Sequence, residues 1–174
     1  MSRFSYGEVE AAIRSLHTVP GGRRGTFKAR VRHLQRLGLL PSSPGRGIKI
    51  DYEVADAWRW AVCFALIQCG LPPDAVKSVL GAAGRKLTLP FAGEGGQAED
   101  QIFWLCPEFL SWHLDNLPDW IERVRFNVVP FSKAMDVAFK GAGGFLQEEA
   151  GQVIMINLTK LKRDLFNALK INWE

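Results

Sequence analysis

The sequence TFKARVRHLQRLGLLPSSPGRGIKIDY, from Thr26 to Tyr52, decides how the rest of the chain is interpreted. Phe27, Val31 and Leu34 recur at the spacing of one apolar helix face. The Gly-Leu-Leu-Pro that follows is expected to end this helix. Basic residues occupy the remaining circumference: Lys28, Arg30, Arg32, His33 and Arg36. The stretch therefore predicts a helix that buries one face and presents mostly positive charge on the other.

Charge is distributed unevenly along the chain. From Ala11 to Ile50 there are nine Lys and Arg residues and no Asp or Glu. Residues 1–86 hold 14 Lys and Arg against 6 Asp and Glu, whereas residues 87–174 hold 8 against 12. A basic face attracts polyanions over long distances, and contact with phosphates releases counterions. The first half is therefore predicted to bind nucleic acid. The alternative is a merely solvated surface, which would be expected to intersperse acidic residues.

The order of motifs in residues 4–80 resembles the winged helix-turn-helix of the mercury-resistance-regulator (MerR-like) superfamily. The shared pattern is Arg-x-x-x-Arg-x-Gly-Leu-Leu from Arg32 to Leu40, followed by a glycine-bounded wing turn at Gly45 to Lys49. Tyr52 then opens the next helix, and Gly70 to Pro72 leads into a fourth. The resemblance implies a module that binds double-stranded DNA through its second helix and its wing.

The second helix carries most of the predicted DNA contacts. Thr26 is expected to cap it, leaving its first amides facing outward, where they favour anions. The first turn of such a helix enters the major groove, so Lys28 is the candidate for contact with a base edge. The resemblance implies phosphate contacts for Arg32 and His33, although His33 stands where the family usually has Tyr. Arg36 has a second explanation, because a cation at a helix end complements the dipole. The predicted contacts of this helix are Thr26, Lys28, Arg30, Arg32, His33 and Arg36.

Two loops next to this helix are predicted to add contacts. The glycines of Gly21 to Gly25 allow backbone amides to approach phosphate, and a plain solvated loop is the alternative. Pro41 to Ile50 is predicted to be the wing, because its Pro-Gly turn is followed by alternating apolar residues. The resemblance implies that Lys49 takes the place of the wing arginine of the family. The loop cations assigned to DNA are Arg23, Arg24, Arg46 and Lys49.

Three further helices are predicted in the first half. Ser5 to Glu8 has the form of a capping box and indicates a first helix. Asp51 is expected to cap a third helix through about Cys69, which is apolar almost all round and is therefore expected to be buried on more than one side. A fourth helix is expected to end near Leu80, because Gly81 to Gly84 would interrupt it.

The C-terminal half is predicted to be a small α+β domain. Its strands are expected near residues 102–106, 124–131 and 152–156, with short helices after Pro107 and Pro118 and a closing helix from Thr159. Because the intervening glycines exclude a long coiled coil, the coiled-coil dimer, the ligand-sensing domain and the promoter-untwisting mechanism of the family are not carried over. The predicted fold class is mainly α with small β (α+β). Its domains are a winged helix-turn-helix over 1–84, a Gly-rich linker over 85–100 and an α+β domain over 101–174.

Composition excludes several classes of protein. A chain of 174 residues with 47% hydrophobic residues is long and apolar enough to form a core. The longest apolar run, Trp60 to Ile67, is too short to span a bilayer. The histidines have no metal-ligand or triad spacing, so we assign no catalytic residue, metal or cofactor and do not expect an enzyme, although a site assembled from distant residues stays an alternative. Buried, reduced thiols and a cytoplasmic location are expected from the spacing of the three cysteines, Cys63, Cys69 and Cys106.

Two functions of different class fit these observations. The first is a sequence-specific, double-stranded DNA-binding transcriptional regulator at the nucleoid, whose residues 87–174 dimerise, sense a ligand or recruit polymerase. The alternative is a phage-type or architectural DNA-binding adaptor for packaging, excision or antitermination, whose C-terminal half binds a protein partner and whose DNA affinity is mostly electrostatic. RNA binding is disfavoured, because no RNA-recognition motif with paired aromatic residues is present.

Overall fold

A computed structural model describes residues 2–41, 51–92, 99–105, 126–140 and 153–171. The chain forms two compact units, one comprising Met1–Lys77 with Leu161–Glu174 and the other comprising Ser78–Lys160. The described residues are mainly helical with two small antiparallel sheets, which confirms the predicted α+β class. Nearly all of the predicted wing falls outside the described residues, so the winged helix-turn-helix stays a prediction.

The first unit contains two short strands and several helices. In chain order they are β1 (Arg3–Phe4), α1 (Tyr6–Leu16), a 3-10 turn (Gly21–Arg23), α2 (Arg24–Arg36), β2 (Tyr52–Glu53), α3 (Val54–Gln68) and the start of α4 (Pro73–Ala92). β1 pairs antiparallel with β2, with Phe4 opposite Tyr52. The predicted capping box of α1 is confirmed, because the Ser5 hydroxyl accepts a hydrogen bond from the Glu8 amide and the Glu8 carboxylate accepts one from the Ser5 amide.

Helix α3 forms the centre of this unit. Every residue from Trp60 to Leu66 is buried, which confirms that the helix is covered on more than one side. The ring of Phe64 stacks on Phe27 of α2 with a centroid distance of 5.0 Å. The ring of Trp60 makes edge contacts with Tyr6 at 5.8 Å and with Tyr52 at 5.9 Å. Helix α3 therefore provides the apolar surface that positions α1, α2 and β2.

Glycine ends α2 and α3 in the same way. Gly38 has φ +72°, its amide donates to the Gln35 carbonyl at 3.0 Å, and the next amide, of Leu39, donates to Leu34 at 3.0 Å. The Leu34 and Leu39 side chains are both buried. Gly70 has φ +93° and occupies the equivalent position after α3. These bonds satisfy carbonyls that the helix leaves unpaired, and the left-handed backbone they require favours glycine.

Two predicted helix caps are wrong. The 3-10 turn Gly21–Arg23 leads directly into α2, so the backbone is already helical before Thr26, and Thr26 lies exposed in the first turn instead of capping the helix. The predicted loop from Gly21 to Gly25 is therefore a 3-10 turn followed by the start of α2. Similarly, α3 is capped at Glu53 and not at Asp51, because residues 52 and 53 first pair with β1 as strand β2.

Helix α4 runs further than the sequence predicts. It continues through Gly81 and Gly84 to Ala92, so these glycines do not end it, and the predicted linker is helical at its start. Buried residues recur along one face of the helix at Val76, Val79, Ala83 and Leu87. Each glycine costs about 1 kcal/mol relative to alanine in a helix interior. Burial of this apolar face offsets that cost, because most helical stability in proteins comes from tertiary packing.

The second unit contains a three-stranded antiparallel sheet. Its strands are β3 (Gln101–Leu105), β4 (Phe126–Pro130) and β5 (Ile154–Asn157), and they lie in the order β4-β3-β5. Phe103 in the central strand lies opposite Val128 and Ile156, and its side chain is fully buried. The three predicted strands and the closing helix are confirmed, while the helices predicted after Pro107 and Pro118 lie outside the described residues. Helix α5 spans Phe131–Lys140 and helix α6 spans Leu158–Ala168. The C-terminal part of α6 groups with the first unit.

The cysteines occupy different environments. Cys63 is buried in α3, and burial raises the pKa of its thiol to about 12, so the thiol stays protonated at neutral pH. Cys69 is exposed at the C-terminal end of α3. The expectation of a buried thiol is therefore confirmed for Cys63 and wrong for Cys69, because the helix has already turned out of the core there. Cys106 falls among the residues that are not described.

A histidine joins the end of α1 to the end of α3. The Nδ1 atom of His17 lies 2.7 Å from the Oε1 atom of Gln68, and the Gln68 amide donates back to the His17 carbonyl at 3.4 Å. An amide oxygen only accepts, so the imidazole carries its proton on Nδ1. Burial lowers the pKa of His17, while the hydrogen bond to Gln68 opposes that shift. The imidazole is therefore neutral in the folded protein at neutral pH.

Replacing Gly38 with Ala is expected to lower the free energy of unfolding by about 1 kcal/mol, because the alanine must adopt a left-handed backbone. No heavy atom lies within 4 Å of the added Cβ, so the cost is one of backbone conformation alone. Gly25→Ala is the matched control, because Gly25 lies in the first turn of α2 and its added Cβ also meets open space. We expect this control to stabilise the protein by roughly 0.5 kcal/mol. Denaturant titration measures both, and a destabilised Gly25→Ala would contradict the assigned start of α2.

The free energy of unfolding is expected to fall as the pH drops below 6.5, the ordinary pKa of histidine. The unfolded chain then binds a proton at His17 that the folded chain does not, so stability declines by at most about 1.4 kcal/mol per pH unit. The measurement is denaturant unfolding at pH 7.5 and pH 5.5. The His17→Asn variant should show a smaller difference between the two, whereas His33→Asn, which alters an exposed ring, should keep the parental difference. Equal pH dependence in all three proteins would contradict a neutral, buried His17.

Candidate nucleic-acid interface

Helix α2 has one buried face and one basic face. Phe27, Val31 and Leu34 are at most 5% exposed and pack into the first unit. Thr26, Ala29, Arg30, His33 and Arg36 are exposed and recur three or four residues apart, so they form one stripe on the outer side of the helix. We call these five residues the outer stripe. The basic members of the outer stripe are Arg30, His33 and Arg36, and no acidic residue occurs anywhere in α2.

Eight of the ten predicted DNA contacts lie within α2 or in the turn before it. The side chains of four arginines are exposed and form no ion pair or hydrogen bond with any residue in the described ranges: Arg23, Arg30, Arg32 and Arg36. Thr26 and His33 are exposed on the outer stripe, while Arg24 and Lys28 lie on the flank of α2 that faces α1. The remaining two, Arg46 and Lys49, lie outside the described residues.

A buried glutamate of α1 lies against the flank of α2 that carries Arg24 and Lys28. Glu10 of α1 is 2% exposed and is one of two polar or charged residues that are buried in the described part of the chain. It sits beside the apolar residues Val9 and Ile13, on the side of α1 that faces α2. A carboxylate taken out of water is costly unless opposite charges and hydrogen bonds compensate for the lost hydration.

Three cations provide that compensation. The Nε atom of Arg24 donates to Oε1 of Glu10 at 3.0 Å. The Lys28 ammonium lies 3.7 Å from Oε2, and an Arg14 terminal nitrogen lies 3.9 Å from Oε1. The side chains of Arg14, Lys28 and Arg24 are 22%, 39% and 57% exposed, so Arg14 is the most buried of the three and Arg24 the most exposed. The cluster of one carboxylate and three cations keeps a net positive charge.

Tyr6 lies beside the same cluster. Burial raises the pKa of the Tyr6 hydroxyl, and the negative charge of Glu10 adds to that shift, whereas Arg32 and Arg24 lower it. The phenol is therefore influenced by the charges of Glu10 and of both arginines. Tyr6 is half-buried, and its ring lies 6.4 Å from the ring of Tyr52. The hydroxyl is therefore a neutral donor between the basic flank of α2 and the aromatic cluster on α3.

Two side-chain hydrogen bonds hold the segment that follows α2. The side-chain amide of Gln35 donates to the Pro41 carbonyl at 2.9 Å. Arg59 of α3 donates from Nε to the Leu39 carbonyl at 2.8 Å. The chain therefore leaves the helix in a defined direction and enters the predicted wing next to the C-terminal end of α2.

Sequence reasoning missed Glu10 and Tyr6. The acid-free window begins at Ala11, one residue after Glu10, so the carboxylate that neutralises part of the positive charge lies just outside that window. The spacing of Glu10 and Arg14, four residues apart in α1, is typical of an ion pair along a helix and was the available signal. Nothing in the sequence indicates that Arg32 influences the pKa of Tyr6, because the two residues lie on different helices.

No family model and no curated protein sequence matches this chain with significance. The described ranges hold no group of three or more His, Cys, Asp or Glu side chains arranged to bind a metal ion. Within the same ranges, every helix is too short or too polar to cross a membrane.

Proposed function

We propose that this protein is a double-stranded DNA-binding transcriptional regulator that places α2 in the major groove. The observation that carries the proposal is the outer stripe, a rigidly held and exposed helix face that is basic and lacks acidic residues. Phosphate neutralisation by such a face supplies affinity, and a helix of this diameter fits the major groove. DNA as the partner also places the protein at the nucleoid in the cytoplasm.

The position of each cation on α2 gives it a role in this proposal. Arg30 lies at the middle of the outer stripe, so we assign it contact with base edges, where a guanidinium pairs with guanine O6 and N7. Thr26 and His33 lie one turn to either side of it. Lys28, the base-contacting candidate in the sequence, has its ammonium held near Glu10 on the flank and is a less direct candidate. A helix of 13 residues is about 20 Å long and spans several base pairs.

Three further arginines suit phosphate contacts. Arg23 precedes α2, Arg32 lies toward Tyr6, and Arg36 is in the last turn. This spread along the helix would place cations on both sides of a groove. Arg46 and Lys49 remain the proposed contacts of the wing. Residues 87–174 carry the excess of acidic residues, which would be repelled by DNA, so we assign them to a homodimer or to a protein partner.

Selection of bound duplexes from a random-sequence library at about 150 mM salt tests this function. A sequence-specific regulator is expected to enrich one motif, and a palindromic motif would also indicate a symmetric dimer. Binding without enrichment would favour the packaging, excision or antitermination adaptor, because electrostatic affinity alone carries little sequence preference. The absence of any binding at low salt would exclude both functions.

Replacing Arg32 with Ala is expected to weaken binding to all duplexes about equally, because a phosphate contact carries no sequence information. The slope of log K against log salt should decrease by about 0.9, the value for one lost phosphate contact. Fluorescence anisotropy at four salt concentrations measures this slope. Arg163→Ala is the matched control, since Arg163 is exposed on α6 and the substitution removes the same charge. Equal slopes in the two variants would show that Arg32 does not contact phosphate.

A further inference from the structure

The bond between Arg24 and Glu10 leaves one end of the guanidinium exposed. Only Nε of Arg24 contacts Glu10, at 3.0 Å, and no other bond joins the Arg24 side chain to the described part of the chain. The side chain is nevertheless 57% exposed, although Glu10 itself is almost completely buried. The guanidinium is therefore fixed through its inner nitrogen, while both terminal nitrogens have donors available on the solvent side.

We infer that Glu10 is a positioning residue that holds Arg24 at the start of α2, so that its two terminal nitrogens grip one DNA phosphate. This inference rests on the proposed DNA-binding function. Two parallel N–H donors match the oxygens of a phosphate, and such a bidentate contact needs a defined guanidinium plane. An arginine held by a buried carboxylate has already lost the rotamer freedom that an exposed arginine would lose on binding.

The charges around Glu10 explain why a carboxylate is suited to this role. Arg14 and Lys28 lie on the same carboxylate as Arg24, at 3.9 and 3.7 Å. Without the negative charge these three cations would repel one another, and Arg24 would turn away into solvent. With it, the cluster stays net positive and still attracts phosphate. Glu10 thus fixes the direction of Arg24 without cancelling the charge that recruits DNA.

The start of α2 supports the same location for a phosphate. The helix has no side-chain cap, and the residue before it, Arg23, is exposed. The Arg24 amide already donates to the Gly21 carbonyl, so the attraction for phosphate at this position comes from the side chains of Arg23 and Arg24. The sequence alone assigned Arg24 to a flexible loop, where its direction would be undefined. In the structure it is the first residue of a helix, tied to a buried group.

A double-mutant cycle on DNA affinity tests the inference. The variants are Glu10→Met, which keeps the side-chain length but removes the acceptor, Arg24→Gln, and the two combined. Each is measured by anisotropy on the duplex that the parent protein selects. We expect Glu10→Met to weaken binding roughly fivefold in the parent and to have little effect once Arg24 is replaced. The salt slope of Arg24→Gln should fall by about 0.9, as for the loss of one phosphate contact.

Stability controls separate positioning from folding. Thermal unfolding of each variant shows whether the fold is kept, and Glu10→Gln is used if Glu10→Met does not fold, because glutamine retains an acceptor and should lose less affinity. An equal loss of affinity in both Arg24 backgrounds would overturn the inference in favour of a purely structural role. Tighter binding by Glu10→Met with a steeper salt slope would also overturn it, because Glu10 would then compete with phosphate. A parent protein that binds no DNA would instead contradict the proposed function itself, and the inference with it.

Discussion

The stack of Phe27 on Phe64 is the contact on which the basic helix depends. Helix α2 has apolar residues on one face only, so its rotation about its own axis is set by what that face contacts. Burial of a phenylalanine contributes about 2–3 kcal/mol, and the ring of Phe64 lies 5.0 Å from Phe27. The same Phe64 ring lies 5.8 Å from His17, where α1 ends. One side chain of α3 therefore determines which residues of α2 face solvent and how α1 lies beside them.

Positive charge in the first unit is less available than its sequence implies. Nine cations without an intervening acid describe the window from Ala11 to Ile50, but three of them lie within 4 Å of Glu10. Within the described residues, the exposed cations of α2 that have no acidic partner lie toward its middle and its C-terminal end. Composition therefore gives the sign of the net charge, while the usable basic surface depends on a contact between helices that composition does not show.

Local sequence patterns predicted those features of the fold that depend on residues close together in the chain. The capping box at Ser5, the glycine at Gly38 and the strands of the second unit follow from hydrogen bonds between near neighbours or from short apolar runs. The prediction at Gly81 was wrong because it treated a residue preference of about 1 kcal/mol as decisive, and burial elsewhere in α4 outweighed it. The prediction at Thr26 was wrong because the 3-10 turn before it has already started the helix. The exposure of Cys69 likewise depends on where α3 leaves the core, which no short pattern encodes.

In the candidate site, the helical repeat determines which residues of α2 share a flank, and the packing of neighbouring helices determines which flank faces α1. The period of α2 already puts Arg24 and Lys28, four residues apart, on one flank and Arg30 on another side. It does not say which flank meets α1, because that depends on the packing of Phe27 against α3. Once that packing is fixed, Glu10 holds Arg24 and Lys28 toward α1, and Arg30 is left on the outer stripe, at the middle of the helix length. A single buried carboxylate thus separates cations that the sequence treats as equivalent, and it moves the expected base contact from Lys28 to Arg30.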